Sequence, residues 1–148
     1  MADRDVISTL NTLIQTCRDG EQGFRRASEN VRDAELKTIF SEIGRERGQC
    51  ADELTKEVQR LGAAPATGGS VSGALHRGWM DVKAAVTDED DKAIVAEAER
   101  GEDVAVATFR TALEASLPPD IEAIVRRQFA QVQRAHDRVR ALETTARR

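Results

Sequence analysis

Three glutamates and one histidine stand where helical apolar stripes call for a hydrophobic side chain. Glu21 falls between Cys17 and Phe24, Glu46 between Ile43 and Cys50, Glu102 between Ala98 and Ala105, and His136 between Val132 and Val139. Carboxylates and imidazole gathered inside a helical bundle need compensation, because an unpaired buried charge is costly. Metal binding is one form of compensation. Pairing with Arg47, Arg100 or glutamine side chains in a polar layer is another. The spacing alone leaves both open.

The elements that must position these groups follow from the apolar periodicity. Steps of three and four residues predict a helix over about 5–31, through Val6, Leu10, Leu13, Cys17, Phe24 and Val31. Asp33 is a fair N-cap for a second helix over 34–61, which Gly62 ends. A third helix is expected over 89–116, with Thr87 and Asp88 at its start, and a fourth over 119–146, with Pro119 in its first turn. No stretch alternates like a strand. Two tight turns imply two antiparallel hairpins joined by a long connection over 62–88, which carries a short helix at about 71–86. A connection of that length can cross the whole bundle, as in ferritin-like topology. The expected fold is therefore all-α, a ferritin-like antiparallel four-helix bundle in one domain, with a short fifth helix in the crossover.

Counting from the end defined by the hairpin turn brings the four polar interruptions to one level. Glu21 lies ten residues before Val31, Glu46 thirteen after Asp33 and Glu102 fourteen after Asp88, while His136 is about eleven before the end of the last helix. A spread of four residues is only about 6 Å along a helix. A weak internal repeat points the same way: Gly20-Glu21 matches Gly101-Glu102, and Glu46-x-x-Gln49 matches Gln133-x-x-His136. An i, i+3 pair shares one helix face.

The chain resembles, over nearly its whole length, an uncharacterised bacterial family of ferritin-like four-helix-bundle proteins carried as a domain of unknown function. The residues that carry the resemblance are Asp19-Gly20-Glu21-x-Gly23-Phe24, His76-Arg77-Gly78-Trp79, Arg100-Gly101-Glu102-Asp103 and Ala135-His136-Asp137. It implies the fold and no established activity. The wider superfamily builds di-iron sites from one Glu on each of two helices and Glu-x-x-His on each of the others. Glu21 and Glu102 match the lone carboxylates, Glu46 the Glu of one motif, and His136 the His of the other. Gln49 and Gln133 stand where a His and a Glu belong. What remains is a degenerate set suited at most to a weaker site for iron or manganese.

Composition bounds the remaining possibilities. The 148 residues are 40% apolar and 32% charged, with a net charge of −4. No basic face with interleaved aromatics suggests nucleic acid. No apolar run nears the roughly 20 residues of a membrane span. No signal peptide is evident at the N-terminus, so a cytoplasmic location is the default expectation. Phosphate loops, serine elbows and EF-hand spacing are missing. Cys17 and Cys50 fall at similar heights on paired helices, close enough for a redox pair, although a reducing cytoplasm makes two ordinary core thiols the expected reading. On the crossover, Trp79 with His76 and Arg77 forms a small candidate binding surface, although Trp79 also suits a plain structural anchor. The expected function is a non-catalytic, stress-associated protein that acts by binding or self-association, helix faces left over from the bundle suiting a homodimer. The alternative is a metal-binding protein, at most a weak oxidase, that uses Glu21, Glu46, Glu102 and His136.

Overall fold

A computed structural model describes residues 3–66 and 91–146. Among these the architecture is four helices and no strand: α1 (Asp3–Asn30), α2 (Ala34–Arg60), α3 (Asp91–Glu114) and α4 (Pro119–Ala146). The short helix expected at 71–86 falls outside the described residues.

Local chemistry sets the helix ends. The Asp33 carboxylate accepts the Leu36 amide at 3.0 Å, satisfying one of the orphan donors at the start of α2. At its other end Gly62 takes φ +82°, and the Gly62 and Ala63 amides donate back to Gln59 and Val58 at 2.9 and 3.1 Å. This is a Schellman closure, and the left-handed residue it requires is a glycine. Pro119 opens α4, where its missing N–H would have had no partner in any case.

Each helix buries one stripe, and the helices form a ring. α1 packs against α2 and α3, and α4 packs against the same two, so α1–α4 and α2–α3 are the diagonals. Their relative directions are read from contacts at the ends. Both oxygens of Asp91, the first residue of α3, accept backbone amides of the α1–α2 turn, Arg32 at 2.8 Å and Asp33 at 3.0 Å. Arg60, the last residue of α2, reaches Asp120 in the first turn of α4 at 2.9 Å. Thus α2 ends and α3 begins at opposite ends of the bundle. No helix among the described residues is long and apolar enough to cross a membrane.

The core is two apolar clusters. One, toward the end where α1 starts, joins Leu10, Leu13, Cys17, Leu54, Phe109 and Val132 among others. The second, toward the α1–α2 turn, includes Phe24, Phe40, Ile43, Ile94 and Val139. Burying a Leu, Ile or Phe side chain of this kind contributes about 1.5–3 kcal/mol. Between the clusters lies a polar layer at mid-height.

Glycines let α1 and α2 meet closely at that layer. A Cβ on Gly20 would stand 3.0 Å from both Cγ and Nη1 of Arg47, while one on Gly48 would run into the Glu21 carboxylate. The two obstacles differ, since Arg47 is pinned in the core and the Glu21 carboxylate is the free end of a flexible, partly exposed side chain. Gly20→Ala is therefore expected to destabilise by about 1 kcal/mol net, overpacking of about 1–3 kcal/mol exceeding the ~1 kcal/mol gain in helix propensity. Gly48→Ala should be neutral or slightly stabilising. Urea unfolding of the two variants checks the contrast, and equal effects would refute it.

Candidate functional site

At mid-height a guanidinium from α2 meets a carboxylate from α3 across the bundle diagonal. Arg47 Nη1 and Nη2 donate to Glu102 Oε1 and Oε2, both at 2.8 Å. Arg47 is 2% exposed and Glu102 is fully buried. The local sequence makes room for this pairing. Gly20 on α1 accommodates the Arg47 stem, and the Phe24 ring lies 5.7 Å from the guanidinium carbon. Burial opposes the Arg47 charge, but the charge and hydrogen bonds of Glu102 outweigh it, so its pKa lies above the ordinary guanidinium value.

The other residues singled out in the sequence do not join Glu102. Glu21 lies at the α1–α2 seam, about a quarter exposed, where it pairs with Arg18 at 3.2 Å and Arg25 at 3.8 Å on its own helix. His136 turns to the α3–α4 seam, where Nε2 is 2.6 Å from Asp103 Oδ1 and Nδ1 is 3.3 Å from Asp137 Oδ1. Glu46 is half-buried on α2, Gln133 is half-buried on α4 and Gln49 is exposed. Among the described residues no three His, Cys, Asp or Glu side chains group so as to hold a metal ion. The degenerate iron or manganese set thus does not fit the arrangement: both Glu102 oxygens are taken by Arg47, and the imidazole faces a different carboxylate. His76, Arg77 and Trp79 lie outside the described residues.

Three polar groups were not among the candidates that the sequence singled out for the site. Asp103, next to Glu102, is the partner of His136. Gln128 is fully buried and donates to Glu53 Oε1 at 2.7 Å and to the Cys50 carbonyl at 3.3 Å. Glu97, 6% exposed, pairs with Arg100 through one oxygen, and its other oxygen is buried without a hydrogen-bond partner among the described residues. A signal was present for two of them, because Gln128 falls three residues after Val125 and Glu97 three after Ile94, both on the inward step.

Beside the ion pair the two cysteines face one another. Cys17 lies three residues before Gly20 and Cys50 three after Arg47, so the antiparallel register that seats Arg47 against Gly20 also opposes the thiols. Both are free and buried. On the outer face of α1 and α3, Thr12, Leu13, Val104, Ala107 and Ala112 line an apolar groove of about 630 Å³.

Removing one member of a buried ion pair strands the other charge, at a cost of about 3–5 kcal/mol. Arg47→Met should lose about that much stability in urea unfolding, and adding Glu102→Leu should restore most of it. A cost below about 1 kcal/mol for Arg47→Met would contradict the burial of a charged pair.

No curated protein matches the chain. The sequence profile of a family described as a domain of unknown function, DUF2383, matches residues 5–115, which take in α2, α3 and all but the start of α1. The chain belongs to the DUF2383 family.

Proposed function

We propose that the protein is a ferritin-like bundle that acts without catalysis, by binding at its surface or by self-association, its interior serving stability instead of metal chemistry. The carrying observation is that Arg47 occupies both oxygens of Glu102 at the centre of the bundle. A metal could enter there only by displacing a guanidinium and leaving that charge buried, which costs several kcal/mol. The placement of Asp91 against the α1–α2 turn supports ferritin-like topology, since α1 and α4 then run one way and α2 and α3 the other. A long crossover belongs to the same reading, as do the bacterial origin, stress association and cytoplasmic location that the sequence suggested.

The partner proposed for self-association is a second copy of this chain, meeting along the α1–α3 face. The apolar groove there exposes Ala107 at its rim. Metal chemistry with Glu21, Glu46, Glu102 and His136 is the competing proposal, and it requires Arg47 to swing away from Glu102.

Two measurements test the reading. Tag-free protein dialysed against iron, manganese or zinc should retain less than about one-tenth of an equivalent. A full equivalent that disappears in Glu102→Ala would replace the proposal with the metal one. Sedimentation velocity at rising concentration should show a dimer that Ala107→Glu splits, and a chain that stays monomeric throughout would remove self-association.

A further inference from the structure

The two thiols have surroundings that core packing alone does not require. Cys17 is fully buried and Cys50 is 4% exposed, both within the apolar cluster that borders the polar layer. They are close enough to share a hydrogen bond, the largest influence on the acidity of each. The Cys50 S–H donates to Gln131 Oε1 on α4 at 3.3 Å, a contact that links the thiol to a third helix. Arg47 supplies a fixed positive charge one helical turn away on the same helix.

We infer that Cys17 and Cys50 form a dithiol site that hydrogen peroxide oxidises to a disulfide within the chain. The geometry assigns the two sulfurs different roles. Cys50 is the attacking thiolate, since it has the slight exposure and stands on the same helix as Arg47, and Cys17 is the resolving thiol behind it. The acidities agree in direction. The hydrogen bond from Cys17 and the Arg47 charge hold Cys50 below the ordinary thiol range against burial, whereas the same hydrogen bond and burial push Cys17 well above it. Carboxylates temper the effect, Glu102 opposing Arg47 at Cys17 and Glu53 opposing it at Cys50.

In the first step the Cys50 sulfur attacks one peroxide oxygen: an S–O bond forms and the O–O bond breaks. The departing hydroxide takes the proton that Cys50 released and leaves as water. In the second step the Cys17 sulfur attacks the Cys50 sulfur, an S–S bond forms and the S–O bond breaks. The hydroxide lost takes the Cys17 proton and leaves as a second water. Two electrons pass from the sulfurs to the oxidant, so one peroxide and two thiols give one disulfide and two waters. Burial restricts the oxidant to one as small as hydrogen peroxide, and the product would lock α1 to α2 beside the Arg47–Glu102 pair.

The test uses the full-length wild-type chain with equimolar hydrogen peroxide, followed by intact mass and by thiol counting after unfolding in urea. The expected result is a monomer lighter by two hydrogens, with no free thiol and full recovery on adding dithiothreitol. In Cys17→Ser the reaction should stop at a sulfenic acid on Cys50, trapped by dimedone and located by peptide mapping. In Cys50→Ser, Cys17 should react at least about tenfold more slowly than Cys50 does in Cys17→Ser. The inference is overturned if the wild type keeps both thiols, if disulfides form only between chains, or if Cys17 in Cys50→Ser reacts as fast as Cys50 in Cys17→Ser. Should either variant fail to fold by circular dichroism, the wild-type mass and thiol count still decide the question.

Discussion

Taking a guanidinium and a carboxylate out of water costs several kcal/mol for each ion, and the interior must return it through one contact. Arg47 and Glu102 meet this constraint with two parallel hydrogen bonds of 2.8 Å across the diagonal of the bundle. Much of the surrounding architecture follows. Gly20 on α1 must lack a side chain for the Arg47 stem to pass, the Phe24 ring covers the guanidinium, and the apolar core divides into one cluster on either side. Such a pair adds little net stability over an apolar filling. Its physical effect is register: α2 and α3, which face one another across the diagonal, are joined there at one height.

The fold was largely legible in the sequence because its signals are local. Apolar steps of three and four residues, the Asp33 cap, the Gly62 stop and the Pro119 start place the described helix ends within about two residues of those expected. Side-chain destinations were less legible because they depend on the neighbouring helix. Glu21 and Glu102 occupy equivalent steps in their own stripes. The close approach of α2, set by Gly44 and Gly48, places Glu21 at the seam with two arginines, while Glu102 points to the centre. His136 likewise sits on an inward step, yet a small rotation toward α3 gives it Asp103. Stripe position identifies candidates for burial and does not say which of them meet.

A polar layer inside four helices can be balanced in more than one way. Four helices in this order offer a ready-made central chamber at mid-height, and a carboxylate from α3 does project into it. A chamber filled by four acids would need cations, whereas one filled by an acid and a guanidinium is already neutral. The cysteines inherit the consequence, since the cation that balances Glu102 also lies beside their sulfurs.

Arg47 closes the middle of the bundle. Anomalous diffraction from crystals grown with manganese tests it most directly, because it locates any ion relative to named side chains. Arg47 should be bidentate on Glu102, with no anomalous density within the bundle. A peak on Glu102, with Arg47 turned out toward solvent, would contradict it.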